Sequence, residues 1–283
     1  MKTIAATLQD LGGAFRDAGL DEARLKAALV IEEVTGLHRL QWHGTSRHLT
    51  ADELVRIDGM KARMLQGEPI QYVFGTTNFL GRLFVSDRRA LVPRPETEEL
   101  VEQVLGARKV WARTAPVVVD IGTGTGCIII TIAAEKRAAK CFALDTSADA
   151  LSLAHENAKR LGVEQRITFV QADALTGWNH GPIDLIVSNP PYIATHELAG
   201  LPREIREHEP VSALDGGVSG LVIVERILQQ AFPLLADGGS LFMEIGSDQG
   251  KSAPEAAARA GFRHVEVLKD LAKNDRMLVC EKS

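Results

Sequence analysis

The sequence predicts an α/β protein, in which a small N-terminal helical bundle and a β-hairpin linker precede a doubly wound, mostly parallel sheet. Beyond Pro116, short apolar strands alternate with helical segments, which is the pattern of a parallel sheet covered on both faces. Before residue 67, apolar residues recur at helical spacing without a convincing strand. Between these regions, glycines separate short aromatic runs. The predicted division is therefore 1–66, 67–92 and 93–283.

The composition indicates an ordinary globular protein, because 45% of the 283 residues are hydrophobic and 24% are charged. The longest apolar run, around Cys127–Ala134, is far shorter than the roughly 20 residues that span a bilayer. The N-terminus lacks the apolar core of a signal peptide. The three cysteines form no CxxC pair, so neither a disulfide framework nor a metal site is predicted. The net charge of -5 argues against a protein that clamps nucleic acid. We expect a cytoplasmic monomer with no membrane segment and no stable nucleic-acid complex.

The N-terminal region and the linker are predicted from local signals. Thr50 and Glu53 form a capping box, in which the two side chains satisfy backbone amides at the start of a helix. The short runs Gln71–Phe74, Asn78–Leu80 and Leu83–Val85 are aromatic and are separated by glycines. These runs are predicted to be strands of the hairpin linker.

The third region begins with a helix start, since Pro95 precedes several acidic residues that favour the positive end of a helix dipole. Short apolar runs predict strands at Val117–Ile121, Cys141–Leu144, Ile167–Val170, Ile183–Ser188 and Ser240–Ile245. Amphipathic segments between them predict helices at about 126–137, 147–161, 219–236 and 249–260. Two final apolar stretches are predicted as edge strands, at His264–Leu268 and Met277–Cys280.

A glycine-rich turn after the first predicted strand of the sheet is the strongest local signal. Glycines allow a ligand to approach the backbone closely, and the following helix start offers unpaired amides. Asp145 ends the next strand, where a carboxylate can accept both hydroxyls of a ribose. The dinucleotide fingerprint requires glycine or alanine where this chain has Cys127, so an adenosine ligand without pyrophosphate is favoured over a dinucleotide. The turn consists of Asp120, Ile121, Gly122, Thr123, Gly124, Thr125 and Gly126.

Asp173 ends the third strand, at the edge where open α/β sheets bind ligands. Its carboxylate is a candidate acceptor for an adenine amino group. A capping or solvated aspartate is the alternative interpretation of this residue.

The segment Asn189-Pro190-Pro191-Tyr192 follows a buried strand and is the candidate chemical site. The Asn189 side-chain oxygen and the Pro190 carbonyl can accept both hydrogens of one planar NH2 group, while Tyr192 offers an aromatic face. These two hydrogen bonds return electron density to a weak nitrogen nucleophile. Such a nucleophile needs an electrophile that is already reactive, and the sulfonium methyl group of S-adenosylmethionine is one. Orientation and desolvation then provide most of the catalysis.

Together these motifs resemble the class I S-adenosylmethionine-dependent methyltransferases that modify exocyclic or amide nitrogens. Within that class, the chain resembles the HemK/PrmC family, the protein-glutamine methyltransferases of peptide-chain release factors. NPPY alone is shared with DNA adenine methyltransferases, whereas PRPETE (Pro93–Glu98) together with an N-terminal helical bundle is more specific. Further matching stretches are Gly67–Tyr72, Glu209-Pro210, Ala213–Gly217, Glu244-Ile245-Gly246 and Lys269-Asp270-Leu271.

The resemblance implies a class I methyltransferase fold and S-adenosylmethionine as the cofactor. It also implies that the substrate is the glutamine of the Gly-Gly-Gln motif in release factors, the proteins of translation termination, and that the N-terminal helices recognise this substrate. The cofactor is then expected to contact the glycine turn, Asp145, Asp173, Ala174 and Asn189. Asn189 and Pro190 are expected to bind the substrate amide, and Pro191 and Tyr192 to shape the pocket; Asn189, Pro190 and Tyr192 are the expected catalytic residues.

Two departures from the family pattern are visible. The family usually has a bulky or aromatic residue after Asp173, where this chain has Ala174-Leu175, and the segment Lys269–Arg276 has lysine where glycine is common. Two other functions stay open. A DNA or RNA adenine-type N-methyltransferase would use the same NPPY chemistry, although the acidic balance disfavours it. A non-catalytic binding protein would keep the fold, although the intact Asn189 disfavours that hypothesis.

Overall fold

A computed structural model describes residues 2–42 and 47–283. The chain divides into two compact units. The first unit extends to Gly75 and also includes Arg203–His208, and the second contains Thr76–Pro202 and Glu209–Ser283. Within the described residues, no helix is both long enough and apolar enough to cross a membrane.

The first unit is helical, as the apolar spacing predicts. Its buried core joins large side chains from successive helices, including Phe15, Ile31 and Met64. The predicted capping box is confirmed, since the Thr50 hydroxyl accepts from the amide of Glu53 while the Glu53 carboxylate accepts from the amide of Thr50. The helices are α1 (Ile4–Asp17), α2 (Ala23–Thr35), α3 (Ala51–Leu65) and α4 (Ile70–Phe74).

The prediction of a strand at Gln71–Phe74 is wrong, because this run forms α4. A run of four or five residues is too short to show the periodicity that distinguishes a helix from a strand. Local contacts decide the matter: Gly75 ends the helix in the left-handed conformation, and the Arg63 guanidinium donates to the carbonyls of Tyr72 and Val73 at 2.9 and 3.0 Å. The rest of the predicted hairpin is confirmed, with β1 (Thr76–Phe79) antiparallel to β2 (Arg82–Val85).

The second unit contains a seven-stranded sheet in the order β5-β4-β3-β6-β7-β9-β8. The five strands from β5 to β7 are parallel, and β9 pairs antiparallel with both of its neighbours, β7 and β8. The predicted α/β fold is therefore confirmed. The strands are β3 (Val117–Ile121), β4 (Lys140–Asp145), β5 (Ile167–Gln171), β6 (Ile183–Ser188), β7 (Leu235–Glu244), β8 (His264–Lys269) and β9 (Asp275–Glu281).

Helices cover both faces of this sheet, which explains why its central strands are apolar without alternation. Val118 packs in one buried cluster with residues of α5 and α7, whereas the next residue, Val119, packs in a second cluster with residues of α10 and α11. The helices of this unit are α5 (Pro95–Leu105), α6 (Arg108–Trp111), α7 (Cys127–Glu135), α8 (Ala148–Arg160), α10 (Val222–Leu234) and α11 (Ser252–Ala260), while α9 (Arg203–His208) belongs to the first unit.

The last two strands correct a prediction. Of these two strands, β8 lies at an edge of the sheet and β9 does not, because β9 pairs with β7 on its other side, with Leu241 opposite Cys280. Met277, Leu278 and Cys280 are almost fully buried, as expected for an internal strand. The prediction that Met277–Cys280 is an edge strand is therefore wrong.

The strand order creates a switch point beside β3. The chain passes from β3 to β4 and β5 on one side and then returns to β6 on the other side. Open α/β sheets bind ligands at the carboxyl ends of strands at such a point. The glycine turn follows β3 and NPPY follows β6, so the fold brings the two strongest sequence motifs to one place.

Candidate active site

A cavity of about 1130 Å³, including its open mouth, lies at the carboxyl ends of β3, β4, β5 and β6. Most of the predicted site residues line it together, although they come from four separate segments of the chain. Gly126 and Tyr192 are adjacent in sequence to lining residues but do not themselves line the cavity. The predicted residues on its wall are Gly122, Thr123, Gly124, Thr125, Asp145, Asp173, Ala174, Asn189, Pro190 and Pro191.

Glycine is favoured at positions 122 and 126 of the turn for two different structural reasons. Gly122 and Gly126 both have positive φ angles, of 72° and 80°. A Cβ atom on Gly122 would meet no atom within 4 Å. A Cβ atom on Gly126 would lie 2.7 Å from Ile130 Cδ1 and 3.1 Å from Ala154 Cβ. Gly126 therefore permits the close packing of α7 on α8, while Gly122 keeps the cavity wall open.

Asp120 is a buried carboxylate at the end of β3 that the sequence analysis treated only as part of the turn. Its Oδ2 accepts a hydrogen bond from the Thr123 hydroxyl at 2.6 Å. Its Oδ1 has no hydrogen-bond partner among the described residues. Burial raises the pKa of this carboxyl group to about 7. A buried carboxylate is costly, and Asp120 is fully buried beneath the residues that line the cavity rather than among them.

Asp145 is held in place by backbone amides. Its Oδ2 accepts from the Gly124 amide at 3.0 Å, and its Oδ1 accepts from the Ser147 amide at 2.9 Å, next to the start of α8. Each carboxylate oxygen keeps a second lone pair that can accept a further hydrogen bond. The arrangement fits a ligand with two neighbouring hydroxyls, such as a ribose.

Asp173 and Ala174 lie at the same edge, and α10 closes the cavity beside them. The Arg226 guanidinium donates to both oxygens of Asp173 at 2.7 and 2.9 Å. Ile223 and Ile227, one turn apart on α10, line the cavity. They supply an apolar wall in a chain that lacks a bulky residue after Asp173. This role is not among those predicted from the sequence, although the apolar pair at i and i+4 is a signal for it.

A buried hydrogen-bond chain connects three of the family motifs. Asn189 Nδ2 donates to Thr97 Oγ1 at 3.0 Å, and the Thr97 hydroxyl donates to Glu244 Oε2 at 2.7 Å. The Tyr192 hydroxyl donates to Glu244 Oε1 at 3.2 Å. Burial raises the pKa of the Glu244 carboxyl and also that of the Tyr192 hydroxyl. PRPETE, NPPY and Glu244-Ile245-Gly246 are therefore parts of one site.

The back of NPPY is packed without spare room. Gln249 Nε2 donates to the carbonyls of Tyr192 and Gly220 at 2.9 and 3.1 Å. A Cβ atom on Gly220 would lie 2.5 Å from the Tyr192 carbonyl oxygen, and one on Gly216 would lie 2.8 Å from Tyr192 Cα. These contacts give a structural reason for Gly216 in the Ala213–Gly217 stretch, and they fix the position of the loop.

The described residues contain no group of three or more His, Cys, Asp or Glu side chains that could hold a metal ion. Cys127, Cys141 and Cys280 are buried free thiols, and burial raises the pKa of each to about 12. These thiols are therefore protonated and poorly nucleophilic at neutral pH.

Comparisons with known proteins show the family to which this chain is similar. The family model for the PrmC N-terminal domain matches residues 6–75, and that for the Methyltransferase small domain matches residues 100–203. The release factor glutamine methyltransferase of Chlorobaculum tepidum is 41% identical over 274 residues, covering 94% of this chain and 92% of that protein. The protein of the same name from Nitratidesulfovibrio vulgaris is 38% identical over 290 residues, covering 99% and 97%.

The T. thermophilus 16S rRNA N2 G1207 methyltransferase, solved with AdoMet and guanosine, shares the fold with a TM-score of 0.54. It is 16% identical, and the similarity covers 74% of this chain and 50% of that one. The sequence relatives and the fold both confirm the resemblance seen in PRPETE, the glycine turn and NPPY. The chain therefore belongs to the release factor glutamine methyltransferase family of S-adenosylmethionine-dependent enzymes.

Proposed function

We propose that the protein transfers the methyl group of S-adenosylmethionine to the side-chain amide nitrogen of the glutamine in the Gly-Gly-Gln motif of peptide-chain release factors. One observation carries this proposal. Thr97 accepts from Asn189 Nδ2 at 3.0 Å, so the other end of that side chain, Oδ1, is the end available to a substrate. Asn189 and Pro190 line the cavity together. Their two oxygens match the two hydrogens of a primary amide.

The reaction needs no general base before methyl transfer. The two hydrogen bonds from the substrate amide to Asn189 Oδ1 and the Pro190 carbonyl hold the nitrogen and increase its electron density. The proton leaves after the new N–C bond has formed. Burial and the neighbouring Glu244 raise the pKa of Tyr192, so its hydroxyl stays protonated and acts in positioning. Orientation of this kind is worth up to ~7–11 kcal/mol in well-aligned reactions.

The cofactor supplies a methyl group on a sulfonium sulfur, and the neutral thioether is the group that leaves when a weak nitrogen nucleophile attacks the methyl carbon. Asp145 would hold the ribose, and the turn from Gly122 to Gly126 would hold the methionine portion, with Asp120 fixing the Thr123 hydroxyl of this turn. Asp173 and Ala174 would face the adenine, against the wall formed by Ile223 and Ile227. These residues fit such a ligand, because the wall beside Asp173 is apolar while the ribose side presents a fixed carboxylate.

The same proposal covers the organisation of the protein. Residues 1–66 would recognise the release factor, 67–92 would link this region to the rest, and 93–283 would hold the cofactor and the chemistry. The match of residues 6–75 to the PrmC N-terminal domain supports the first assignment. We further propose that the protein is a cytoplasmic monomer. We also propose that it forms no stable complex with nucleic acid, which the net charge of -5 supports. Light scattering of the purified protein tests the monomer directly.

The decisive experiment is intact-mass analysis of a release factor after incubation with the protein and S-adenosylmethionine, followed by peptide mapping. We expect one added methyl group on the glutamine of Gly-Gly-Gln. Asn189→Ala is the matched control, with cofactor binding measured in parallel. An unmodified release factor in the presence of a cofactor-bound enzyme would contradict the proposal. Methylation of adenine in a parallel DNA or RNA incubation would favour the nucleic-acid alternative instead.

A further inference from the structure

The hydrogen bonds behind Asn189 form a directional chain. Asn189 donates to Thr97, and Thr97 donates to the carboxylate of Glu244. Thr97 and Glu244 are only 2% and 1% exposed. They lie on different elements, since Thr97 is in the first turn of α5 and Glu244 ends β7. Water therefore has little access to replace any link of the chain.

The chemistry of the groups fixes the direction of this chain. Both carboxylate oxygens of Glu244 accept, Oε1 from Tyr192 and Oε2 from Thr97, so the single hydrogen of the Thr97 hydroxyl is committed to Glu244 at 2.7 Å. Thr97 Oγ1 can then only accept from its other neighbour. Of the two ends of the Asn189 amide, only Nδ2 can donate. Nδ2 must therefore point toward Thr97, and Oδ1 must point the other way.

The direction matters because the substrate group is a donor. If the Asn189 amide were reversed, its NH2 group would oppose the NH2 group of the substrate, and neither would accept. We propose that Glu244 and Thr97 are positioning residues that set the acceptor end of Asn189 toward the substrate amide, an inference that rests on the proposed function. Glu244 thus favours an amide substrate indirectly, through its hydrogen bond with Thr97 and the hydrogen bond of Thr97 with Asn189.

Tyr192 strengthens this selection. Its hydroxyl donates to Glu244 Oε1, so both carboxylate oxygens accept and the side chain is held at two points. In Glu244→Gln, the new Oε1 can keep the bond from Tyr192 only if the new Nε2 faces Thr97. Thr97 would then accept from Gln and donate to Asn189 Oδ1. Because the Tyr192 hydroxyl can also accept from Nε2, the opposite orientation of the new amide keeps the original chain, so Glu244→Gln leaves the direction of the chain unfixed.

The test compares Thr97→Val with Thr97→Ser, because the first removes the hydroxyl at nearly constant shape and the second retains it. With a release factor as substrate, Thr97→Val is expected to lower kcat by on the order of tenfold or more. Thr97→Ser is expected to recover most of the kcat. The affinity for S-adenosylmethionine, measured by calorimetry, and the melting temperature serve as controls for both variants.

A second readout reports the direction of the amide itself. A release factor with Gly-Gly-Glu presents an acceptor in place of the donor, so it should bind the wild-type site poorly. The ratio of its Kd to that of the Gly-Gly-Gln form is expected to fall in Thr97→Val and in Glu244→Gln, but not in Thr97→Ser. A purely structural role for Thr97 would leave this ratio unchanged.

The outcomes separate two failures. If the wild-type enzyme leaves Gly-Gly-Gln unmethylated, the proposed function is wrong. If the wild-type enzyme is active but Thr97→Val matches Thr97→Ser in kcat and in the Kd ratio, and Glu244→Gln keeps wild-type values, only the positioning role is wrong. Should Thr97→Val fail to fold, Thr97→Ala, which also lacks the hydroxyl, replaces it in the comparison with Thr97→Ser.

Discussion

The Arg94 guanidinium donates to both carboxylate oxygens of Glu209, at 2.6 and 2.8 Å. Arg94 immediately precedes α5, and Glu209 precedes Pro210, which lines the cavity. The Glu209 side chain is almost fully buried, whereas that of Arg94 is partly exposed. This pair joins PRPETE to the segment after Glu209, in which Pro210, Ser212 and Ala213 line the cavity.

We expect Arg94→Ala to lower the free energy of unfolding by on the order of 1–3 kcal/mol, because it removes the guanidinium from a buried carboxylate. Urea denaturation measures this change. Replacing both residues, in Arg94→Ala with Glu209→Gln, should cost less than Arg94→Ala alone, since the buried charge is then absent. Equal losses in the single and double variants would show that the charge pair contributes nothing.

Substitutions of Asn189 and Asp145 are expected to affect different quantities, the first kcat and the second the affinity for the cofactor. Asn189→Ala removes an acceptor for the substrate amide, so kcat should fall by about 10²–10³, as for the loss of one preorganised group in other active sites. Cofactor affinity should hardly change. Asp145→Ala removes the candidate ribose acceptor and should raise the Kd for S-adenosylmethionine by on the order of tenfold or more. Steady-state kinetics and calorimetry measure the two effects, and equal effects in both variants would contradict this assignment.

The two glycines of the turn provide a matched pair for stability and binding. Gly126→Ala places a Cβ atom 2.7 Å from Ile130 Cδ1 and should destabilise the fold by about 1–3 kcal/mol. Gly122→Ala has the same unfavourable φ but meets no neighbour within 4 Å, so it should cost only about 1 kcal/mol. Its methyl group adjoins the cavity, and cofactor affinity should fall instead. Thermal unfolding with and without S-adenosylmethionine distinguishes the two.

Asp120 gives the protein without cofactor a specific pH dependence. Its pKa is about 7 in the folded protein, against an ordinary value of 3.8. Between these values the folded state binds the proton more tightly, so this group stabilises the fold at low pH. The stabilisation is lost as pH rises from about 4 through 7, by at most ~1.4 kcal/mol per pH unit.

Urea unfolding of the wild-type protein and of Asp120→Asn across this pH range measures the effect. The amide variant cannot titrate, so the difference in unfolding free energy between the two proteins should change in favour of the variant as pH rises. A difference that is constant from pH 5 to 8 would contradict the shift.

The sequence alone predicts the parts of this structure that depend on short-range patterns. The apolar strand before Gly122, its glycine turn and the NPPY segment are each contiguous, so both principal motifs were found. The helix at Ile70–Phe74 was missed because contacts from Arg63 and Gly75, outside the apolar run, decide its conformation. The internal position of β9 was missed because strand order depends on the return of a hairpin, which no local pattern records.

The positioning chain shows the same limit within the site. Thr97, Asn189 and Glu244 are far apart in sequence, and only the sheet topology brings them together. Each of the three residues lies in a motif that matches the family. A motif by itself, however, gives no reason for a threonine at position 97 or a glutamate at position 244. The reason is the donor-to-acceptor direction of the hydrogen-bond chain, which is visible only in the three-dimensional structure.

The tight packing behind Tyr192 has a consequence for how such a site can change. Gly216, Gly220 and Gln249 leave the NPPY loop no room to retreat, so a bulkier nucleophile cannot be admitted by widening that wall. Any new specificity must arise at other residues that line the cavity, such as Pro210 and Ser212. The scaffold thus keeps the reacting nitrogen in a constant position while the identity of the molecule that carries it is open to selection.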